Sequence, residues 1–416
     1  MKDTARRESL EEEGQEPLRL VDVVREDLRA FVTRAGMEAL AALLEEERTD
    51  LCGPRYEHDE GRACSRAGYA PGELVMGGRR VSVTRPRVRD RSGREVPLSS
   101  WSSFRQEDAL DERALRQMLV GVSTRRYAGS LEALGPEVVE RGTSKSAVSR
   151  RFVEVTTKKV EEWLGRPLDS IDPIAILIDG IHVDERVFLV ALGIDIEGKK
   201  HVLGVREGAT ENATCCRELL CDLRERGLST DKRTLFVLDG AKALARAVRD
   251  VYGERARIQR CQVHKTRNVI EQLPESMRAS VRASMRQAYR LSSADKAKQQ
   301  LLNLARRLRE TQPSAAASIE EGLDETLTVK RFGLPTQLER ILSTTNAIEN
   351  LMGSVRGHTR RVKKWKDTRM MLRWVATALE DASTRFRCVM HRAGMRDLAA
   401  ALRSDTSTVA QDSNAA

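Results

Sequence analysis

Two short stretches of the chain share one form: Ile174 to Gly180 (IAILIDG) and Leu235 to Gly240 (LFVLDG) are unbroken apolar runs closed by Asp-Gly. A third acid, Glu349, stands in TTNAIEN, about 110 residues after the second run. Neither run alternates with polar residues, as expected of central strands buried on both faces. Adjacent parallel strands would release Asp179 and Asp239 together, at the sheet edge where open α/β folds bind ligands. Asp-Gly is equally the strongest short hairpin signal, so Asp179 taken alone reads at least as well as a turn former. The helical pattern after LFVLDG, in place of a second strand, favours the strand-end reading.

Three carboxylates gathered within a few ångströms repel and partly protonate unless cations intervene. Mg²⁺ or Mn²⁺ resolves this, because hard divalent ions prefer oxygen ligands and recruit phosphate oxygens. Two such ions roughly 3.5 to 4 Å apart activate a water or a 3′-hydroxyl and stabilise the leaving oxygen of an in-line displacement. The expected chemistry is therefore phosphodiester cleavage and transfer, with Asp179, Asp239 and Glu349 as both catalytic and metal-binding residues.

Glu349 belongs on a helix capped near Thr344 or Thr345, with Ile348, Met352 and Val355 turned to the core. Glu349, Gly353, Arg356 and Arg360 share another face, and the glycine leaves room above the carboxylate. From there the chain is intensely basic: Arg356, Arg360, Arg361, Lys363, Lys364, Lys366, Arg369 and Arg373 face only Asp367. A solvated helix accommodates such a run, but a DNA backbone also relieves its self-repulsion. Asp172, Asp184, Asp195 and Glu211 are weaker acidic candidates, in turn or helix-start contexts. In QRCQVHKTRN, Cys261 and His264 supply half of a zinc site with no second pair in reach. His264 can orient a phosphate or a bound water, or be an ordinary hydrogen-bonded histidine.

The elements that must position these residues emerge from the rest of the chain. At 416 residues with 40% hydrophobic content, two to four structural units are expected. The net charge of +10 suggests a polyanionic partner. No apolar run approaches the roughly 20 residues needed to span a bilayer, and the N-terminus has no signal-peptide pattern, so a soluble, intracellular protein is expected. Seven scattered cysteines fit reduced thiols. Cys52, His58 and Cys64 offer three zinc ligands at unusual spacing, against an ordinary loop.

Residues 1 to about 17 are expected to be disordered, followed by a helical pair to Thr49. The stretch from Glu73 predicts a hairpin turning at Gly77-Gly78, its Arg79, Arg80, Arg85, Arg87, Arg89 and Arg91 forming a basic ribbon. Between Ala109 and Trp163 a helix-turn-helix pattern places one helix after Ser123 and a second capped by Thr143 or Ser144. The second presents Ser144, Lys145, Ser146, Arg150 and Arg151 to a major groove. Strands over Ile174 to Val183, Val187 to Ile196 and His201 to Arg206 precede a helix over Glu211 to Gly227. The LFVLDG strand, a helix over Lys242 to Tyr252 and a strand over Ala256 to Val263 follow. This is the order of a ribonuclease H-like mixed sheet. The predicted layout is residues 1–108 as N-terminal helices and basic hairpin, 109–166 as the helix-turn-helix-like region, and 167–264 as the first part of the α/β catalytic core. It continues with 265–335 as an all-helical insertion, 336–403 as the Glu349 helix and basic C-terminal helices, and 404–416 as a disordered tail.

In these motifs the chain resembles the bacterial insertion-sequence transposases of the Mutator superfamily. PIAILIDGIHV, ALGIDIEGKKHVLGVREGATEN, LLCDLRERGL, LFVLDGAKAL, RIQRCQVHKTRNVIEQLP and STTNAIENLMGSVRGHTRRV carry the resemblance over most of residues 170 to 362. It implies a ribonuclease H-like catalytic domain whose Asp, Asp, Glu triad falls on Asp179, Asp239 and Glu349, with two Mg²⁺ or Mn²⁺ ions. It implies that Cys261 and His264 form a C-x2-H signature and that a helical insertion precedes Glu349; Tyr289 and Phe332 are the aromatics there, with no Trp to wedge a flipped base. It further implies binding to terminal inverted repeats and target DNA in the bacterial cytoplasm, associated with the nucleoid, as a homodimer or larger synaptic assembly. The competing expectations are a non-catalytic DNA-binding regulator, a structure-selective nuclease on the same fold, and a zinc-stabilised binding module.

Overall fold

The computed structural model describes residues 31–32, 34–57, 61–104, 108–131, 139–208 and 213–405. The expectations for residues 1 to 17, His58, Glu211 and the 404–416 tail beyond Asp405 lie outside the described residues. Contacts divide the chain into two units, residues 1–156 and 157–416.

The first unit contains α1 (34–52), β1 (Cys64–Met76), β2 (Arg79–Asp90), β3 (Glu95–Val96), α2 (Ser99–Phe104), α3 (Asp108–Leu119) and β4 (Glu140–Arg141). The division falls within α4 (Lys145–Gly165). The hairpin turns at Gly77 and Gly78, both at positive φ (58° and 89°), a region open to glycine. Leu40, Leu44 and Cys52 of α1 bury against Leu74, Val81, Val88 and Trp101.

The arginine ribbon is largely neutralised within this unit. Successive strand residues face opposite ways, so Arg79 and Arg80 do not both point outward: Arg79 is buried on Glu140, and Arg80 lies 3.9 Å from Glu73. Arg85 and Arg87 both reach Glu95, at 2.8 Å each. The helix expected after Ser123 is also corrected. Residues 124–127 are turn and Ala128–Ser130 a single 3₁₀ turn, because Tyr127 is fully buried and its hydroxyl donates to the Gly78 carbonyl at 2.8 Å. That anchor fixes the segment to the hairpin.

In the second unit, β5 (Pro173–Val183), β6 (Arg186–Asp195) and β7 (Lys200–Gly208) form an antiparallel meander. After α5 (Ala213–Glu225) come β8 (Thr234–Leu238), α6 (Lys242–Tyr252) and β9 (Ala256–Arg260), with β8 parallel to both β5 and β9. The sheet order is β7-β6-β5-β8-β9. The strand expected to run to Val263 stops at Arg260. The Cys261 N–H still donates to the Leu238 carbonyl at 2.7 Å, but Gln262 opens α7 (Gln262–Glu271), whose Val269 and Ile270 are buried.

Alternation sorts the buried strands onto two faces. Ile176, Ile178, Phe236 and Leu238 pack with Leu219, Leu220, Leu223 and Val248 of α5 and α6. Ala175, Leu177, Leu235 and Val237 face the other way. There they meet Ile348, Leu351, Met352 and Val355 of α13 (Asn346–Thr359), and Met371, Val375 and Leu379 of α14 (Thr368–Ser383). Burying one such aliphatic side chain contributes roughly 1.5–3 kcal/mol, so the sheet fixes α13 firmly.

Residues 275–320 form α8 (Glu275–Arg290), α9 (Ala294–Leu308) and α10 (Pro313–Glu320), packed around Val281, Met285, Leu301 and Leu304, and α11 (Thr328–Arg331) follows, its Val329 in the core on the sheet. Then follow α12 (Thr336–Leu342), α13 (Asn346–Thr359), α14 (Thr368–Ser383) and α15 (Gly394–Ser404).

Candidate active site: carboxylates around a buried Cys-His pair

Register places the two aspartates. Ile178 of β5 is the partner of Leu238 of β8 in the parallel ladder, so the next positions are Asp179, inside β5, and Asp239, the first residue past β8. Asp179 continues the alternation of Leu177, toward the face covered by α13, where its charge acts on His264. The strand expected over Ile174 to Val183 is observed, so Asp179 lies inside it rather than at its end: Asp179 pairs with Val190, and β5 continues to a hairpin at Asp184, whose φ is 55°. Each carboxylate is half-buried. Asp179 Oδ1 accepts from the Gly180 N–H and Asp239 Oδ1 from the Ala241 N–H, both at 2.9 Å.

Glu349 enters from α13. Its Oε1 accepts the Thr345 hydroxyl at 2.7 Å and lies 3.9 Å from His264 Nε2. Thr345 occupies the cap position but places no side-chain bond on the helix, because its hydroxyl is engaged by the glutamate one turn on. Cys261 is fully buried, and its Sγ accepts the Thr345 N–H at 3.4 Å. The Thr345 oxygen also lies 3.3 Å from Cys261 Sγ and 3.3 Å from His264 Nδ1. A hydroxyl has one proton, so it donates either to Glu349 Oε1 or to Cys261 Sγ, and the carboxylate at 2.7 Å is the shorter partner.

Burial pushes the Cys261 thiol up, but hydrogen bonds from His264 and Thr345 outweigh it and hold the thiol below its ordinary range. His264 is raised, first by its bond to Cys261; burial opposes this, and the charges of Cys261, Glu349 and Asp179 reinforce it. Among the described residues, the one group of three or more possible metal ligands within 4.8 Å of one another is Cys261, His264 and Glu349, and neither aspartate belongs to it. Nitrogen, sulfur and oxygen donors of this kind suit zinc. The Cys261 sulfur, however, is sealed from solvent and already bonded to Thr345.

Two features behind Asp239 carry no signal in the sequence motifs. Gly240 has φ +109°, and a Cβ there would collide with Arg260 Nε. Arg260 is buried and held by Glu321, through the carbonyl at 3.1 Å and the carboxylate at 3.3 Å. Thr345, expected as a helix cap, is instead the partner of the glutamate; its four-residue spacing from Glu349 is the one sequence signal that pairs them.

The weaker acids have structural roles. Asp172 is exposed and pairs with Lys232 at 2.6 Å, and Asp195 holds His201 at 2.7 Å and the Lys199 N–H at 2.8 Å. Of the helix-start residues, Ser144 caps α4 by accepting the Ala147 N–H at 3.3 Å, while Lys145, Ser146 and Arg150 are exposed. Arg151 instead turns to Asp111, at 3.1 Å. Arg356, Arg360, Arg361, Lys363 and Lys364 are all exposed. All seven cysteines are free, with Cys52 buried in the apolar cluster of the first unit. No helix among the described residues is long and apolar enough to cross a membrane.

A family profile described as "Transposase, Mutator family" matches residues 5–388. The transposase for insertion sequence element IS6120 of Mycolicibacterium smegmatis is 29% identical over 278 residues, covering 65% of this chain and 83% of the relative. The transposase for ISRM5 of Rhizobium meliloti (strain 1021) is 29% identical over 365 residues, covering 85% and 87%. The transposase for IS256 in transposon Tn4001 of Staphylococcus aureus is 26% identical over 358 residues, covering 82% and 86%.

Proposed function

From the premise that this chain belongs to the Mutator family of transposases, we propose that it binds the terminal inverted repeats of an insertion sequence, cleaves phosphodiester bonds at the element's ends and joins the freed 3′-hydroxyl to target DNA. The reaction centre is Asp179, Asp239 and Glu349 on a ribonuclease H-like core. The observation that supports this reading is the register: Ile178 beside Leu238 sets both aspartates at one level, and α13, which carries Glu349, packs on the face that Leu177 and Val237 share.

The donor set fits Mg²⁺ or Mn²⁺. Three half-buried carboxylates offer hard oxygens, and among the described residues neither Asp239 nor Glu349 is paired with a lysine or arginine. When bound, two such ions would activate the attacking hydroxyl and stabilise the leaving oxygen. The chain's own contribution is orientation. Backbone amides at Gly180 and Ala241 fix one oxygen of each aspartate, and Thr345 fixes one oxygen of Glu349. Cys261 and His264 act as positioning residues, holding Thr345 from beneath. Exposed Lys145, Ser146 and Arg150, and the run Arg356, Arg360, Arg361, Lys363 and Lys364, supply phosphate contacts. Because two ends must be paired, the working form is a dimer or larger assembly.

The test is cleavage and strand transfer by purified protein in Mg²⁺ on a duplex carrying the element's end. Asp239→Asn and Glu349→Gln should lose both steps; retention of strand transfer by either would overturn the assignment. Metal analysis separates the positioning role of Cys261 and His264 from a zinc site, since the latter requires stoichiometric zinc in the purified protein.

A further inference from the structure

One face of α8 is buried, through Val281, Met285 and Ala288. The flank next to it carries Arg278, Arg282, Arg286 and Arg290, four residues apart and all exposed. At the rise of an α-helix, successive members are about 6 Å apart and the row extends about 18 Å. The row lines one wall of a cleft of about 1360 Å³, with Arg340 of α12 and Asn346 and Asn350 of α13 also lining it.

The charge balance of this cleft is one-sided. Eight cations and two acids line it, and Lys330 and Glu339 are paired with each other, which leaves seven cations against Glu271. Neighbouring helices neutralise their arginines: Arg309 pairs with Glu320, Arg331 with Asp324, and Arg249 with Glu325. Arg282, Arg286 and Arg290 pair with no carboxylate among the described residues. An uncompensated row of like charges in a concavity calls for an extended anion. A single phosphate or nucleotide would engage only part of it, whereas a nucleic acid strand presents phosphates at a comparable repeat.

We propose that this cleft holds the sugar-phosphate backbone of DNA, with Arg282, Arg286 and Arg290 as phosphate contacts. The proposal rests on the transposase reading and extends it. None of the three carboxylates lines the cleft, yet α13 supplies Asn346 and Asn350 to the cleft and Glu349 to the site. The DNA held here is therefore a segment beside the bond that is cut, on the face of the helix adjacent to the one that carries the glutamate.

The test uses the full chain and two fluorescent probes, a duplex of arbitrary sequence and one of its strands, titrated over a range of salt. Each lost phosphate contact lowers the slope of log K against log salt by about 0.9 on duplex and about 0.7 on single strand. The triple variant Arg282→Ala, Arg286→Ala, Arg290→Ala should lose about 2.7 of slope on duplex or about 2.1 on single strand, and the probe that responds identifies the form of DNA held. Alanine favours exposed helix positions, and the matching triple lysine variant should keep most of the slope. A charge-matched control, Arg246→Ala, Arg306→Ala, Arg307→Ala, removes exposed arginines that do not line the cleft and should leave the slope near wild type. If the cleft variant matches wild type or the control on both probes, the proposal is overturned. Such a result leaves the active-site assignment untouched, because that assignment stands or falls on cleavage by Asp239→Asn.

Discussion

Asp179-Gly180 and Asp239-Gly240 follow similar apolar runs, yet the fold secures them by different means. Asp179 is a rung within a ladder: it pairs with Val190, and β5 runs four residues past it to Val183. Asp239 lies one residue beyond the end of β8, on a loop bent by Gly240 and packed against the buried Arg260. The first carboxylate inherits its position from sheet hydrogen bonds that depend little on side-chain identity. The second depends on one glycine and one buried cation. Register makes the two acids level, while their tolerance to change differs.

If both acids serve one reaction centre, the difference in support must vanish when the carboxylates themselves are altered. Asp179→Asn and Asp239→Asn should each reduce end cleavage by on the order of a thousandfold, with unchanged thermal unfolding; a large loss from only one would break the equivalence. Glu349 has its own support, and Thr345→Val should lower cleavage about 10- to 100-fold, the usual scale for a residue that orients a metal ligand. Thr345→Ser keeps the hydroxyl and should restore most of that loss. A Val variant as active as wild type would remove Thr345 from the positioning scheme.

The glycines then separate the two regions directly. Gly240→Ala requires an L-residue at φ +109° and displaces Arg260, costing at least about 1–2 kcal/mol in denaturant unfolding. Gly180 lies within a strand and is not among the positive-φ glycines, so Gly180→Ala escapes that conformational cost. Equal destabilisation by both would refute the contrast between ladder and loop.

The same division separates what is legible in the sequence from what is not. The central strands are legible because burial on both faces leaves a continuous apolar run, and α6 is legible because its apolar spacing ends at Gly253, with φ 56°. The level placement of the aspartates is inferable only on the supposition that β5 and β8 are parallel neighbours. The convergence of Cys261, His264 and Thr345 on Glu349 is not inferable, since it joins residues about 80 positions apart through two helix starts. The hairpin arginines mislead for a related reason: a charge run is visible in sequence, but the Glu140 and Glu95 that absorb it are assigned by strand pairing. The helix expected after Ser123 gives way because Tyr127 is an anchor to a distant carbonyl.

The smallest predicted effect concerns what lies behind the Asp239 loop. Lys265 is buried, donates to the same Glu321 carbonyl that receives Arg260, and is lowered to about 8, first by burial and then by the Arg260 charge. A lysine lowered from 10.5 binds fewer protons in the folded state than in the unfolded state between those values. Folding stability therefore rises with pH from about 8 toward 10.5 on account of this residue, by about 1 kcal/mol between pH 8 and pH 9. Lys265→Met keeps the aliphatic bulk and deletes the titration, so subtracting its unfolding free energy from wild type across that window should isolate the rise. A flat difference would mean that Lys265 keeps its proton at an ordinary pKa. The Arg260 and Glu321 pair would then hold the Asp239 loop beside a third charge that stays protonated throughout this window.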